Sequence, residues 1–304
     1  MINSLDYGDK MPPLNPNNIQ QSQTVSTTSK NIRQIELIIN GIESTDGDGV
    51  QLTRVIGSQE LPMLDPFLLF DAFESNEAQD YIGGFPSHPH RGFETVTYLL
   101  AGRMRHKDSE GREGVIEPGG VQWMSAGSGL IHSEMPEQQD GLLSGFQLWV
   151  NLPASDKMTA PAYQEFPADK ITHERHDNGT EIRVIAGKTN KGSVGPVINN
   201  YVNPLYIDVT LPVGQKFEQI VEDDDNAFVY VIEGELSVGE QPTSIKKHQL
   251  AVMSKGNIVQ FKATDDTRFM MASARPLNEP VARGGPFVMN TREEVMQAFK
   301  DFNR

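Results

Sequence analysis

The chain has 304 residues, which corresponds to about two domains at ~150 residues each. It contains no cysteine, which excludes disulfides, thiolate metal sites, iron–sulfur clusters and a cysteine nucleophile. Because 41 acidic residues outnumber 26 basic ones and the net charge is −15, we expect no direct binding to nucleic acid. No apolar run approaches the ~20 residues of a membrane span and no secretory signal is visible, so the sequence predicts a cytoplasmic protein without membrane contact.

The first residues of the chain differ in composition from the rest. The segment Asn15–Asn31 (NPNNIQQSQTVSTTSKN) is almost wholly polar and shows no periodicity. Such a segment cannot bury enough apolar surface to offset the entropy of ordering it. We therefore predict that residues 1–31 form a flexible tail.

After this tail the pattern is typical of short β-strands. Runs of apolar and β-branched residues such as Gln34–Asn40 and Val121–Ser125 alternate with clusters of glycine and proline. Many short strands with frequent turns predict an all-β sandwich or barrel. The proline-rich residues 153–167 are interpreted as a linker between a first module, residues 32–152, and a second, residues 168–304.

Two segments of the chain repeat at nearly the same offset. Thr97–Gly102 (TYLLAG) resembles Val229–Gly234 (VYVIEG) at an offset of 132. Val121–Gly127 (VQWMSAG) resembles Leu250–Gly256 (LAVMSKG) at an offset of 129. One short loop deletion accounts for the difference, so we predict two copies of one β-module.

The sequence predicts one helix, at the C-terminus. Thr291 and Glu294 have the Ser/Thr-x-x-Glu spacing of a capping box. Val295, Phe299 and Phe302 then recur at helical spacing. We expect a packed structural helix rather than part of a catalytic site.

Two short motifs of the first module carry the chemistry of a metal site. His88 and His90 are two residues apart, and His132 and Glu134 have the same spacing. In an extended chain, residues two apart point to the same face, so each motif can direct two ligand groups to one point. Three imidazoles and one carboxylate suit iron, manganese, nickel, copper or zinc, and do not suit calcium or magnesium.

Glu94 is the alternative carboxylate for this site. It has the same parity as His88 and His90 if the chain stays extended, although Gly92 can interrupt the strand. The pattern of residues alone leaves the choice between Glu94 and Glu134 open.

The repeat predicts that only the first module binds a metal. The counterparts of the four candidate ligands include no imidazole. At the two offsets, His88, His90, His132 and Glu134 correspond to Ile220, Glu222, Phe261 and Ala263.

The remaining four histidines are not interpreted as ligands. We expect His106 at the surface or at a pocket rim, and His173, His176 and His248 in solvated, charged stretches. No nucleophile-elbow serine, P-loop or dinucleotide-binding glycine motif is present. The metal site is therefore the main indication of function.

These motifs resemble those of the pirin family of bicupins. The resemblance covers about residues 34–304 and implies an all-β fold of two tandem cupin barrels with a short C-terminal helix. The segments that carry it are Asp65–Leu69 (DPFLL), His88–Tyr98 (HPHRGFETVTY), Val121–Gly127, His132–Pro136 (HSEMP), Gln147–Pro153 (QLWVNLP) and Gly284–Asn290 (GGPFVMN).

The resemblance also implies a ligand set. It implies one iron ion in the first barrel, and the ligands that it implies are His88, His90, His132 and Glu134. The general cupin pattern instead places the carboxylate at Glu94. We follow the pirin pattern and place Glu94 in the layer of residues that surrounds the ligands.

Two hypotheses on function follow from the resemblance. The first is an iron-dependent dioxygenase that opens a flavonol such as quercetin with dioxygen, with Glu134 as the catalytic base. A flat aromatic substrate requires an apolar pocket, for which Phe93, Met124, Phe146 and Trp149 are the candidates. The alternative is a non-enzymatic, redox-responsive iron protein that binds a regulatory protein partner, which a basic or apolar surface patch would favour.

Overall fold

The computed structural model describes residues 31–238 and 243–303. Residues 1–30 of the predicted tail lie outside the described residues. The described part is built mainly of antiparallel strands in two barrels, and each barrel combines a seven-stranded with a four-stranded sheet. The prediction of an all-β fold with a short C-terminal helix is confirmed.

The first barrel contains the strands β2 to β12. Its seven-stranded sheet has the order β12-β9-β6-β11-β4-β3-β2, and its four-stranded sheet the order β5-β10-β7-β8. The strands up to the end of this barrel are β1 (Ile35–Ile39), β2 (Ile42–Asp46), β3 (Val50–Ile56), β4 (Phe67–Ser75), β5 (Phe85–His90), β6 (Phe93–Ala101), β7 (Met104–Asp108), β8 (Glu113–Ile116), β9 (Val121–Ser125), β10 (Leu130–Pro136), β11 (Leu143–Asn151) and β12 (Ala162–Phe166).

The second barrel contains β1 and the strands β13 to β22. Its sheets have the orders β1-β20-β17-β22-β15-β14-β13 and β16-β21-β18-β19. The further strands are β13 (Thr172–Arg175), β14 (Glu181–Ala186), β15 (Leu205–Leu211), β16 (Lys216–Ile220), β17 (Asn226–Glu233), β18 (Glu235–Val238), β19 (Thr243–Lys246), β20 (Leu250–Met253), β21 (Ile258–Ala263) and β22 (Thr267–Ala274).

The internal repeat corresponds to equivalent strands of the two barrels. Its first segment lies on β6 and β17, and its second on β9 and β20. Strand β6 lies between β9 and β11, just as β17 lies between β20 and β22. The prediction of two copies of one module is therefore confirmed.

The chain order does not separate the two barrels cleanly. Strand β1 precedes the whole first barrel, yet it pairs with β20 of the second. Strand β12 lies within the predicted linker, residues 153–167, and pairs with β9 of the first barrel. The predicted modules, residues 32–152 and 168–304, thus differ from the barrels, because edge pairing satisfies backbone hydrogen bonds wherever a free strand edge lies nearby.

The largest apolar core lies between the two barrels. Phe67 and Phe70 of β4 pack against Phe228 and Tyr230 of β17, with ring centroids 5.1 to 5.3 Å apart. A second core fills the inside of the second barrel, whereas the apolar cluster inside the first barrel is much smaller. The first barrel therefore retains room for a cavity.

The C-terminal segment returns to the first barrel. It forms the hairpin of β23 (Ala282–Gly284) and β24 (Phe287–Met289) and the helix α1 (Arg292–Phe302), which begins with the predicted capping box of Thr291 and Glu294. Asp301 of this helix accepts a hydrogen bond from Arg91 at 2.8 Å. The hairpin and helix thus close over the end of β5, next to His90.

The remaining short elements are two 3-10 turns, Ala78–Asp80 and Ala154–Asp156. Within the described ranges, no helix has both the length and the apolar character that a bilayer span requires.

Candidate metal centre

Three of the predicted ligands meet at the pairing of β5 with β10. His132 lies directly opposite His88 in this antiparallel pair, and His90 lies two residues further along β5 on the same face. One ring nitrogen from each of the three side chains lies within 4.8 Å of the others. The prediction that His88 and His90 reach one point is therefore confirmed on β5, and β10 adds His132.

Two of the imidazoles are fixed in one tautomer by backbone carbonyls. The Nδ1 atom of His88 lies 2.8 Å from the carbonyl oxygen of Pro86, and Nδ1 of His90 lies 3.3 Å from that of Pro286. Each Nδ1 therefore carries the hydrogen and each Nε2 a lone pair. The two Nε2 atoms are only 2.9 Å apart. Two lone pairs at this distance repel each other, and a cation bound by both would make the contact favourable.

His132 supplies a second observation that fits a metal. Both of its ring nitrogens are buried and have no hydrogen-bond partner. Burial and the adjacent His88 lower the pKa of His132 to about 3, so the ring is neutral, as a metal ligand must be. Burial together with His132 and His88 also holds the pKa of His90 well below its usual range. Since an unpartnered buried polar group is costly, the three residues fit a single transition-metal ion.

Glu134 lies on the same strand as His132 and lines the same cavity. Its carboxylate is not among the group of close ligand atoms. Its Oε1 lies 2.8 Å from the Thr97 hydroxyl, and its Oε2 lies 3.4 Å from the amide nitrogen of Gln147. The assignment of Glu134 as a fourth ligand stays a prediction.

Glu94 points away from the histidines. The prediction that it belongs to the layer of residues around the ligands is therefore wrong. On β6, Thr97 faces the inside of the barrel, whereas Val96 and Tyr98 belong to the core between the barrels. Glu94 shares their side of the strand and accepts a hydrogen bond from Asn199 of the second half of the chain. The parity changes at Gly92, whose φ of 87° turns the chain between β5 and β6.

Burial of Glu94 has an electrostatic consequence. Only 3% of the residue is exposed, and burial raises the pKa of its carboxyl to about 7, although hydrogen-bond donors including the Asn199 amide partly offset this rise. Glu94 is therefore a group that titrates near neutrality at the contact between the two barrels.

A cavity of about 770 Å³ opens beside the histidines. His88, His90 and Glu134 form part of its wall. The apolar part of the lining consists chiefly of Leu52, Leu69, Phe73, Phe85 and Trp149. A cavity of this size can enclose a molecule of two or three aromatic rings.

Of the four predicted pocket residues, only Trp149 lines the cavity. Phe93 packs against Trp149, with the ring centroids 4.3 Å apart. Phe146 belongs to the core between the barrels, and Met124 belongs to a separate buried cluster. For Phe146 the position along β11 decides this, because alternate residues face opposite sides of a sheet and Trp149 lies three residues further on.

The C-terminal hairpin contributes residues that the analysis of single motifs missed. Arg283 and Pro286 line the cavity, and Pro286 also accepts the hydrogen bond from His90. The only sequence signal is the segment Gly284–Asn290, which the resemblance includes without a role; it contains Pro286 and begins one residue after Arg283.

The other histidines serve structural contacts. His106 is buried beside Glu165 and Tyr163 instead of at the surface, because every second residue of β7 points inward. His173 and His176 lie beside glutamate side chains and are only about one-fifth exposed, whereas His248 is exposed as predicted.

The equivalent position in the second barrel is filled by aromatic rings. Strands β16 and β21 pair with Phe217 opposite Phe261, as β5 and β10 pair with His88 opposite His132. The two phenylalanine rings stack with centroids 5.9 Å apart. The counterpart of His88 is thus Phe217 and not Ile220, because the offset of 129 applies to both strands. Among the described residues, the three histidines of the first barrel are the only group suited to a metal.

Comparison with known proteins identifies the family. The pirin family model matches residues 49–150, and the model of the pirin C-terminal cupin domain matches residues 206–304. A pirin-like protein of Caulobacter vibrioides is 52% identical over 273 residues, which are 90% of this chain and 98% of that protein. Pirin of Homo sapiens is 41% identical over 275 residues, covering 89% and 92% of the two chains.

A solved structure agrees with this assignment. The crystal structure of a quercetin 2,3-dioxygenase from Acinetobacter baumannii superimposes with a TM-score of 0.83 at 35% identity, over 90% of this chain and 98% of that one. The matches and the two barrels confirm the cupin fold expected from the sequence. Because both pirin models match and the relative from Caulobacter vibrioides is 52% identical and covered almost in full, the chain belongs to the pirin family.

Proposed function

We propose that this protein is a metal-dependent dioxygenase that opens a flavonol such as quercetin with dioxygen, and that iron is the metal. The observation that carries the proposal is the convergence of three imidazoles, two of which line a large, mainly apolar cavity. The similarity to a quercetin 2,3-dioxygenase of Acinetobacter baumannii supports the choice of substrate. Manganese, nickel, copper and zinc are the alternatives to iron.

In this proposal His88, His90 and His132 hold the ion, and Glu134 is the fourth ligand. The bound ion supplies Lewis acidity and redox chemistry at the cavity wall. The carbonyl groups of Pro86 and Pro286 keep the Nε2 lone pairs of two imidazoles directed at the site. Such outer contacts fix the tautomer and the ring orientation of ligating histidines.

When its carboxylate leaves the ion partly or wholly, Glu134 also serves as the base for the flavonol hydroxyl group. Its Oε1 is engaged by the Thr97 hydroxyl, whereas its Oε2 has only a long contact, 3.4 Å, with Gln147. Oε2 is therefore the oxygen that receives the proton. Thr97 and Gln147 already hold the carboxylate in place. Little further side-chain freedom is therefore lost when Glu134 accepts the proton.

The cavity lining orients the substrate and keeps water from it. Leu52, Leu69 and Phe73 form apolar walls suited to flat rings, while the ligands lie on the adjoining wall. Burial of aromatic area in such a pocket favours binding by ~25 cal/mol per Å² of apolar surface. A flavonol bound there would present its hydroxyl and carbonyl oxygens toward the histidines.

The test is the oxidation of quercetin, followed by the loss of its long-wavelength absorbance. We expect the iron-loaded protein to be at least ~100-fold faster than the metal-free protein, because orientation and activation of the substrate both depend on the ion. His90→Ala should behave like the metal-free protein. His248→Ala, which changes an exposed histidine, is the matched control and should retain full activity.

Free iron at the same concentration must be included, because flavonols oxidise without an enzyme. A protein no faster than free iron from mildly acidic to mildly alkaline pH would disprove the proposal for this substrate. The hypothesis of a redox-responsive partner-binding protein would then be tested by comparing partner capture by the oxidised and reduced forms.

A further inference from the structure

A guanidinium group lies one aromatic ring away from the proposed metal centre. The ring of Trp149 contacts that of His90, with the centroids 5.2 Å apart. The guanidinium of Arg283, from the hairpin strand β23, lies over the same Trp149 ring at 4.8 Å. His90, Trp149 and Arg283 thus form one continuous part of the cavity wall.

The cavity contains a second arginine, Arg54, whose charge is already paired with carboxylates. Arg54 donates two hydrogen bonds to Asp71, at 3.0 and 2.7 Å, and one to Asp46 at 2.8 Å. Asp46 and Asp71, which line the cavity, are therefore both held by Arg54. Paired in this way, Arg54 has a structural role and little capacity to bind a ligand.

Arg283 has no such partner. Among the described residues, no carboxylate lies within 4.0 Å of its guanidinium, and its one hydrogen bond is a contact of 3.3 Å with the carbonyl oxygen of Leu68. The residue is exposed even though it lines the cavity. Most of its N–H groups are thus available to a molecule inside the cavity. Partial loss of solvent at the cavity wall and the nearby charge of Arg54 lower the pKa of Arg283.

We propose that Arg283 binds the acidic group of an aromatic ligand, and that the cavity binds small aromatic acids more tightly than their neutral counterparts. A carboxylate fits the fork of a guanidinium in a bidentate manner, and a guanidinium held on an indole ring is already oriented for such binding. The rest of the molecule then reaches past Trp149, so that adjacent oxygens at its other end meet the three histidines. This last point rests on the proposed function, whereas binding of the acidic group does not.

The test compares two ligands that differ only in charge, 3,4-dihydroxybenzoate and 3,4-dihydroxybenzamide. Binding to the zinc-loaded protein is measured by titration calorimetry, because zinc does not oxidise the ligands. We expect the acid to bind at least about tenfold more tightly than the amide, since hydrogen bonds to charged groups are the strong ones. The preference should weaken as salt is added, because Arg283 is open to solvent.

Two variants assign the preference to Arg283. Arg283→Gln should bind the acid and the amide equally, and Arg283→Lys should keep part of the preference. Arg103→Gln is the matched control, since Arg103 is half-exposed and pairs with Glu117 on the surface. It should retain the full preference.

Equal binding of acid and amide by the natural protein would overturn the proposal, and so would an unchanged preference in Arg283→Gln. The comparison within the natural protein decides the matter even if a variant fails to fold. A preference for the acid in a protein that does not oxidise quercetin would support the role of Arg283 and refute only the flavonol.

Discussion

At the scale of single residues, the position on a strand decides the role of each carboxylate. Glu134 shares a strand face with His132 and lines the cavity, whereas Glu94 faces the second barrel. Both are acidic and both lie near the histidines in the sequence. Only the side of the strand from which each projects separates a candidate ligand from a structural group.

The first prediction compares these two carboxylates directly. Glu134→Ala should lower metal affinity by more than tenfold, because it removes a group from the cavity wall beside the histidines. Glu94→Ala should leave the affinity nearly unchanged, because its side chain points into the contact between the barrels. A metal titration followed by elemental analysis measures both, and the reverse order would return the site to the general cupin pattern.

The second prediction concerns pH and stability. Burial raises the pKa of Glu94 from the ordinary 4.5 to about 7 in the folded chain, so protonation of Glu94 favours the folded state. Its contribution to the free energy of unfolding is fully present below pH 4.5 and is lost as the pH rises through 7. Glu94→Gln removes this titration and resembles the protonated form.

We therefore expect Glu94→Gln to gain stability relative to the natural protein as the pH rises. The difference in the free energy of unfolding should grow by about 1.4 kcal/mol per pH unit, to about 3 kcal/mol in total. Urea unfolding at several pH values measures it, with the exposed Glu60→Gln as control. A difference that does not vary with pH would show that Glu94 stays ionised in the folded protein.

At the scale of secondary-structure elements, one buried lysine fixes the hairpin that closes the site. The Nζ atom of Lys157 donates to the carbonyl oxygen of Gly92 at 2.7 Å, to Asn151 Oδ1 at 2.7 Å and to the carbonyl oxygen of Val288 at 3.0 Å. It thus connects the turn after β5, the end of β11 and strand β24. The position of Pro286, which orients His90, depends on this connection.

The third prediction follows from these three hydrogen bonds. Lys157→Met keeps the apolar stem and removes the donor, so it leaves three buried acceptors without a partner. We expect a loss of about 3 kcal/mol in the free energy of unfolding, at about 1 kcal/mol for each acceptor. Lys170→Met, at an exposed lysine, should change it by less than about 0.5 kcal/mol. A loss no larger than that of the control would mean that the hairpin is held by other contacts.

The sequence predicts this site well where the argument stays within one strand. The pair of His88 and His90 required only an extended chain, and the pairing of β5 with β10 brings His132 to it. Glu94 would share the side of His88 and His90 only if the chain stayed extended through Gly92, and the chain turns there. Gly92 has a φ of 87°, and a Cβ atom at this position would lie 2.1 Å from the carbonyl oxygen of Val288. A close approach between segments nearly two hundred residues apart leaves no mark in local periodicity.

At the scale of the whole molecule, the two barrels share one fold but differ in what fills their interiors. The second barrel is filled with apolar side chains, and Phe217 and Phe261 stack where the first barrel has two of its histidines. The first barrel has a smaller apolar core and contains a cavity instead. The apolar contact between the barrels and the hydrogen bond from Tyr98 to Asp208, 2.7 Å long, hold the open barrel against the filled one.

The exchange of strands between the barrels was beyond reach of the sequence. Strands β1 and β12 have ordinary strand patterns, and nothing local indicates which sheet edge each will join. The repeat was visible because equivalent strands keep similar residues. The contribution of the C-terminal hairpin to the first barrel, and with it the role of Arg283, emerged only from the folded chain.

In the proposed function, this chain uses the three-histidine site to insert dioxygen into an aromatic substrate. The most direct test of this proposal is the reaction of the iron-loaded protein with quercetin under ¹⁸O₂, followed by mass spectrometry of the ring-opened product. We expect two labelled oxygen atoms in the product of the natural protein and no such product beyond the free-iron background with His132→Ala. A product with one labelled atom or none, or full activity in His132→Ala, would contradict it.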